Sequence, residues 1–227
     1  MILGAGMAWF ILHANLPPIY DQGAVYGAAG RLLSGDYSDW KQGEYFSMLP
    51  YQNGMVLMMC PFIAVFGERA SLAMQICNVP VLFLAYWGIS KTAGRFFDRR
   101  SVYYTYLGLL LMAPMWTQVT FVYGTIQEVC LAVWAVYLAL VFENEGKWRY
   151  LTGSGICIMF AILWKSNAEI FMIAIMLMLF VQAIRKKSVK MLAGIFVIAV
   201  CGLAAVKGAP FIMHLITGED TTRGIPM

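Results

Sequence analysis

Charged residues are scarce in this sequence. They make up 12% of the 227 residues, whereas hydrophobic residues make up 61% and form long runs along the whole chain. Because these runs are continuous and rich in Leu, Met, Ala and Ile, they predict membrane-spanning helices rather than the short alternating strands of a barrel. We therefore expect an all-α, multi-pass membrane protein that forms a single domain over residues 1–227.

Several common chemical signatures are also missing. The two histidines, His13 and His214, lie far apart in sequence, and there is no CxxC pair. The five cysteines are odd in number and lie in apolar runs, so we expect reduced, buried side chains, no metal site and no cofactor. The absence of a Rossmann or Walker phosphate loop disfavours a cytoplasmic nucleotide-sugar enzyme, and we expect no nucleic-acid partner.

One long polar interval, from Leu16 to Gly54, separates the apolar runs. It follows an apolar segment that ends in a Pro-Pro pair, and it holds several carboxylates among aromatic residues and glycines. At a membrane surface, water, a polar substrate and a lipid can meet. This interval is therefore where chemistry is expected. Its carboxylates are Asp21, Asp36, Asp39 and Glu44.

Asp21 begins a helical pattern within this interval. Apolar residues recur behind it at helical spacing until Gly35, which predicts an amphipathic helix lying on the membrane, with Asp21 as a possible N-cap. The apolar positions are Val25, Ala28, Ala29, Leu32 and Leu33. The following segment, Gly-Asp-Tyr-Ser-Asp at 35–39, has the composition of a turn.

Basic residues predict the topology, because Lys and Arg in short loops mark the cytoplasmic side of a membrane. The loops at 91–100 and 185–190 carry four basic residues each, and the ENEGKWR loop carries two. With these loops inside, seven spans result, with the first loop (17–68) and the C-terminus external and residues 55–66 entering the membrane surface without crossing it. The spans are the first helix at 1–16 and segments near 70–90, 102–122, 127–142, 150–164, 168–184 and 190–212.

The polar interval and three later segments resemble a known family. Tyr20-Asp21-Gln22, the Gly35-Asp36-Tyr37 turn and YFSMLPYQNG at 45–54 follow a first helix in that order. The segment at 69–90, FVYGTIQE and GICIMFAILWKSNAEIF come further on. In these features the chain resembles the C-type integral-membrane glycosyltransferases, and most of all the protein-mannosyltransferase-like branch of bacterial envelope assembly. Members of that family are longer, so we expect an N-terminal fragment or a truncated member. Gln22 stands where the mannosyltransferases proper have a second acid, which argues against a two-carboxylate or metal site.

The resemblance implies transfer of a sugar from a polyprenyl-phosphate donor to an envelope glycan, lipid or protein on the outer face of the cell membrane. Such a reaction needs a carboxylate to take the acceptor proton and cations to hold the departing phosphate. Asp21 is the candidate base, with a helix N-cap as the alternative role. The candidate substrate-binding residues are Lys165, Arg69, Arg31, Asp36, Tyr51, Gln52 and Glu128.

Simpler roles remain open for three of these candidates. Lys165 can snorkel to the interface or pair with Glu169, Asp36 can belong to the turn, and Glu128 can lie at a solvated helix end. Two other functions also remain open: a transporter or lipid flippase, for which Gln75, Asn78 and Gln118 are the polar residues within spans, and a non-catalytic membrane scaffold fragment.

Overall fold

The computed structural model describes residues 2–219 and contains eleven α-helices and no strand in that range. The prediction of an all-α protein is confirmed. Short 3₁₀ turns precede or follow several of the helices. The helices are α1 (Ile2–Ala14), α2 (Asp21–Leu33), α3 (Tyr45–Met48), α4 (Asn53–Phe66), α5 (Ala70–Ala93), α6 (Arg99–Leu111), α7 (Ala113–Thr117), α8 (Thr125–Glu145), α9 (Trp148–Trp164), α10 (Glu169–Lys186) and α11 (Val189–Thr217).

Four helical segments within residues 2–219 are long and apolar enough to cross a membrane, which confirms the prediction of a multi-pass membrane protein. Helix α1 has 13 residues and α9 has 17, fewer than the roughly 20 that a span requires. The total of seven spans and the external position of the first loop therefore stay predictions. The four segments are Pro50–Ala93, Thr125–Glu145, Ser166–Lys186 and Val189–Thr217.

The segment predicted as a span at 102–122 is not one continuous helix. Helix α6 ends at Leu111, and the short helix α7 begins at Ala113. Pro114 provides the physical reason: it has no N–H to donate to the preceding turn, and its ring clashes with the carbonyl four residues earlier. The chain therefore breaks at Met112 and continues as one short helix and a 3₁₀ turn before it reaches residue 121.

The largest apolar core lies among α8, α9, α10 and α11. Helix α9 packs between α8 and α11, where small residues allow close approach. The Ser154 hydroxyl donates a hydrogen bond of 2.8 Å to the carbonyl oxygen of Ala135, and a Cβ added to Gly155 would lie 2.7 Å from the sulfur of Cys201. All five cysteines lie within the described range without a disulfide, but only Cys130 is fully buried.

Helix α2 packs on α4 through the apolar face that the sequence predicts. Val25, Ala28 and Ala29 are fully buried in a cluster with Met55 and Val56 of α4. This face is therefore covered by protein, which corrects the expectation that it lies on the bilayer. Gly35, with φ +81°, ends the helix as predicted. Leu33, by contrast, is 49% exposed and does not belong to the buried face.

The polar residues of α5 hold neighbouring backbone instead of lining a pathway. The Gln75 amide donates a hydrogen bond of 2.9 Å to the carbonyl oxygen of Leu16. The Asn78 amide donates bonds of 2.9 Å to the carbonyl oxygens of Val119 and Phe121. Both side chains are buried. These contacts explain two of the three residues that supported the transporter hypothesis, and they fix the segment at 119–121 against α5.

Gly54→Ala is expected to destabilise the protein by about 1–3 kcal/mol, because overpacking forces backbone to move. An added Cβ would lie 2.7 Å from the carbonyl oxygen of Leu163 in α9, and a backbone atom cannot rotate away. Thermal unfolding in detergent measures the effect. Gly30→Ala is the matched control, since no atom lies within 4 Å of its added Cβ. Equal melting temperatures for the two variants would contradict this account of the contact between α4 and α9.

Candidate active site

Asp21 lies at the start of α2 with an exposed side chain. Tyr20 occupies the N-cap position with φ +52°, and the Asp21 carboxylate makes no cap hydrogen bond to the α2 backbone. The predicted N-cap role is therefore wrong. Instead, the Tyr45 hydroxyl donates a hydrogen bond of 3.0 Å to Oδ1 of Asp21. The carboxylate is held from one side and open to solvent on another, as a general base must be.

The buried side-chain amide of Gln52 holds Tyr45 in this position. Nε2 of Gln52 donates a hydrogen bond of 2.9 Å to the Tyr45 hydroxyl oxygen. Burial is the main cause that raises the pKa of Tyr45, and the negative charge of Asp21 contributes to the same shift. The phenol therefore stays protonated and keeps its proton for Asp21. Gln52 is 5% exposed, so it positions Tyr45 and does not present the substrate-binding surface that the sequence predicts for it.

Tyr123 lies beside this pair, in the loop between the 3₁₀ turn at 118–120 and α8. Burial raises the pKa of Tyr123 to about 12, and the charges of Asp21, Tyr45 and Tyr51 make smaller contributions in the same direction. The loop is fixed at Gly124, whose φ is +67° and whose added Cβ would lie 2.8 Å from the Trp164 ring. Only glycine fits there without strain.

Gln22 ties this loop to α2. Its Oε1 accepts a hydrogen bond of 2.9 Å from the backbone N–H of Val122. The residue that stands in place of a second acid therefore has a structural partner 100 positions along the chain. This bond brings the first turn of α2 next to Tyr123.

Gln22→Leu is expected to destabilise the protein by about 1–3 kcal/mol, because it leaves the part-buried Val122 N–H without its acceptor. The measurement is thermal unfolding of the purified protein. Gln22→Glu, which keeps an acceptor oxygen at the same position, is the matched control and should unfold close to the wild type. Identical unfolding of Gln22→Leu and wild type would show that this bond does not hold the loop.

Lys165 reaches the same loop from the other side. It lies between α9 and the 3₁₀ turn at 166–168, with extended backbone (φ −161°, ψ 127°). Its Nζ donates a hydrogen bond of 3.2 Å to the Thr125 hydroxyl and lies 4.9 Å from the centre of the Tyr123 ring. Within residues 2–219 no ion pair joins Lys165 to Glu169, so the predicted pairing is wrong. The ammonium group is neutralised by no direct carboxylate contact in that range.

Glu128 lies one helical turn after Thr125, on the buried side of α8. It is 5% exposed, which corrects the alternative of a solvated helix end. Lys165 is the charged group that acts on its carboxylate. No ion pair joins the two residues within 2–219, and the predicted role of Glu128 in substrate binding stays a prediction.

These contacts bring together the two residues on which the chemistry depends. Tyr123 is in contact with the Lys165 ammonium and is within electrostatic reach of the Asp21 carboxylate. The Gln22–Val122 bond holds the start of α2, and with it Asp21, against the loop that Lys165 contacts. The arrangement can accept a proton and stabilise a developing negative charge.

A comparison with protein families assigns the chain. The family described as dolichyl-phosphate-mannose-protein mannosyltransferase matches residues 55–207, which is more than half of the sequence. The chain belongs to this family. No curated protein and no solved structure matches it.

The matched part of this mannosyltransferase-family chain runs from α4 into α11. It includes Arg69, Tyr123, Glu128 and Lys165, but Asp21 precedes it. Membership therefore confirms the predicted relationship to a C-type, mannosyltransferase-like membrane protein. The proposed role of Asp21 rests instead on its hydrogen bond with Tyr45 and on the bond that ties neighbouring Gln22 to the loop at Val122.

Two candidates in the polar interval have structural partners. Nε and Nη2 of Arg31 donate hydrogen bonds of 2.7 and 3.0 Å to the two carboxylate oxygens of Asp39. The Asp36 carboxylate accepts a bond of 3.0 Å from the Ser38 backbone N–H, and this bond lowers the pKa of Asp36. Asp36 thus forms the predicted turn, and neither residue joins the cluster around Tyr123.

Arg69 and Tyr51 differ in their position relative to this cluster. Arg69 ends the 3₁₀ turn at 67–69, and within residues 2–219 no ion pair links it to Asp21. Tyr51 is 56% exposed and acts electrostatically on Tyr45 and Tyr123, so it belongs to the cluster. Tyr51 also lines a cavity of about 30 Å³, which is large enough for about one water molecule.

Tyr45, Tyr123 and Thr125 are not among the candidate site residues that the sequence identifies. Tyr123 and Thr125 flank Gly124 in the FVYGTIQE segment, and the glycine is the one local sign of a close approach. Two aromatic side chains of the polar interval, Trp40 and Phe46, are 1% exposed and pack in the core. In residues 2–219, no group of three or more His, Cys, Asp or Glu side chains has a geometry that could hold a metal ion.

Proposed function

We propose that this protein transfers a sugar from a polyprenyl-phosphate donor to a hydroxyl group of an envelope acceptor, at the outer face of the membrane. The observation that carries the proposal is that one loop, at residues 122–125, is bonded to Gln22 beside Asp21 and is contacted by Lys165 through Tyr123 and Thr125. Membership in a family named for a lipid-phosphate sugar donor supports the donor class. The concentration of basic residues in the loops at 91–100 and 185–190 supports the assignment of the opposite face to the cytoplasm.

The proposed reaction is a displacement at the anomeric carbon of the donor sugar. The acceptor oxygen forms a bond to this carbon while Asp21 takes the proton of the acceptor hydroxyl. The bond between the anomeric carbon and the phosphate oxygen breaks, and its electron pair leaves with the polyprenyl phosphate. Lys165 stabilises the negative charge on the departing phosphate. Asp21 then returns its proton to water.

Each supporting residue has a defined part in this proposal. Tyr45 donates to one carboxylate oxygen of Asp21, so the other oxygen can face the acceptor. Thr125 and the Tyr123 ring fix the direction of the Lys165 ammonium, and an ammonium fixed in advance needs no reorientation as charge develops. Tyr51 and Tyr123 offer aromatic surface beside the carboxylate for a sugar ring.

The test is a donor comparison with the purified wild-type protein in liposomes. Radiolabelled polyprenyl-phosphate mannose and a nucleotide sugar are supplied separately, with isolated envelope material as acceptor. We expect label to pass to the acceptor only from the lipid-linked donor. Transfer from the nucleotide sugar, or movement of the lipid donor between leaflets without transfer, would contradict the proposal, and the second result would favour the flippase alternative.

A further inference from the structure

A second charged region lies at the opposite end of α5 from the candidate active site. Lys91, Arg95 and Arg99 line an open cleft of about 610 Å³, together with the aromatic side chains of Trp87 and Tyr137. Lys91 Nζ is 5.7 Å from the centre of the Trp87 ring, and the Arg95 guanidinium is 5.4 Å from that of Tyr137.

The cations of this cleft are not neutralised by carboxylates. In the part of the chain that the structure describes, no ion pair involves Lys91, Arg95 or Arg99. The nearest acid in sequence, Asp98, accepts a hydrogen bond of 3.1 Å from the Ser101 backbone N–H and caps α6. The cleft therefore presents three positive charges to any anion that enters it.

An apolar recess adjoins the cleft. It has a volume of about 310 Å³, and Phe97 lies in the walls of both. The recess is lined by Ile89, Val133, Val136 and Phe171. Thr92 also lines it, and the Thr92 hydroxyl donates a hydrogen bond of 2.9 Å to the carbonyl oxygen of Gly88. Phe97 is 63% exposed, so both hollows open on the outside of the helices.

From this pairing we propose that residues 87–102 and the facing part of α8 form a binding site for one anionic phospholipid. The headgroup phosphate lies among Lys91, Arg95 and Arg99, and one acyl chain lies in the recess beyond Phe97. The position supports a lipid rather than a peptide, because the site is at the end of the candidate span Pro50–Ala93, where headgroups and acyl chains meet. A general excess of basic residues in a loop would explain the charges but not the adjoining apolar recess.

The experiment is native mass spectrometry of the purified full chain in detergent, with dioleoyl phosphatidylglycerol and dioleoyl phosphatidylcholine added in equal amounts. Wild type should retain the phosphatidylglycerol in preference. Removing three charges with K91Q, R95Q and R99Q together should lower this retention at least about tenfold. The control combines R185Q, K187Q and K190Q, which removes the same charge from another basic loop, and should change retention less than about twofold.

A second variant tests the recess independently of the charges. Ala93 lines the recess, so Ala93→Trp should fill it. This variant should retain less dioleoyl phosphatidylglycerol than wild type, but as much of the short-chain dihexanoyl phosphatidylglycerol. If the triple variant unfolds, Arg95→Gln alone should lower retention by at least about threefold. Equal losses in both triple variants, or equal retention of phosphatidylcholine, would overturn the proposal. So would displacement of the lipid by millimolar inorganic phosphate, or preferred retention of polyprenyl phosphate.

Discussion

Asp21→Asn is expected to lower the rate of sugar transfer by about 10²–10⁴-fold, the usual cost of losing a general base. The asparagine Oδ1 can still accept the 3.0 Å hydrogen bond from Tyr45, so the local structure should persist. Asp21 makes no cap bond to α2, and its side chain is exposed, so folded protein should be recovered in normal amounts. The measurement is the initial rate of transfer from polyprenyl-phosphate sugar in liposomes, with thermal unfolding recorded on the same sample.

Glu44→Gln provides the control for this prediction. It removes an exposed carboxylate from the same polar interval, next to Tyr45, and Glu44 makes no side-chain cap bond to α3. Its transfer rate should stay within about twofold of wild type, because no general base is lost. Near-normal turnover by a well-folded Asp21→Asn protein would leave Asp21 as a partner of Tyr45 only and would remove the main residue-level support for the enzyme.

Lys165→Met is expected to raise the KM for the lipid donor by about 10–100-fold, with a smaller change for the acceptor, because hydrogen bonds to charged groups are stronger than neutral ones. Methionine keeps an apolar stem of similar length, so packing against the Tyr123 ring is largely retained. The lost group is the ammonium bonded to Thr125. Steady-state kinetics with each substrate varied in turn separate the two KM values.

Lys41→Met is the matched control, since it removes an exposed cation from the polar interval. The donor KM should remain close to that of wild type. An equal loss for donor and acceptor in Lys165→Met would indicate disturbed packing around Tyr123 and α9. An unchanged donor KM would exclude Lys165 from phosphate binding.

Local patterns were enough to predict most of the helices. Five segments predicted as spans, beginning near 70, 127, 150, 168 and 190, coincide with α5, α8, α9, α10 and α11 to within a few residues. Their apolar runs and terminal glycines or charges are properties of neighbouring residues, which sequence reasoning reads well. The break at Met112 is not predicted by the hydropathy of 102–122. It follows from Pro114, which interrupts the helix.

The candidate site was only partly predictable, because its contacts join distant parts of the chain. Asp21 stands out as a carboxylate of the polar interval and Lys165 as a cation between apolar runs, but only folding brings both to the loop at residues 122–125. The bond from Val122 to Gln22 spans 100 positions, and no local pattern encodes it. The burial of Glu128 is not predictable from local sequence either. Its position at the start of a helix suggests a solvent-exposed side chain, whereas the packing of α8 buries it.

A single-turnover experiment tests the central claim most directly, namely that Asp21 takes the acceptor proton in the chemical step and Lys165 holds the phosphate of the lipid-linked donor. Labelled polyprenyl-phosphate sugar is bound to excess protein in liposomes, bound donor is quantified, and acceptor is then added. Asp21→Asn should bind donor like wild type and convert it about 10²–10⁴-fold more slowly, whereas Lys165→Met should bind less donor. Conversion of bound donor by Asp21→Asn at the wild-type rate would contradict the account.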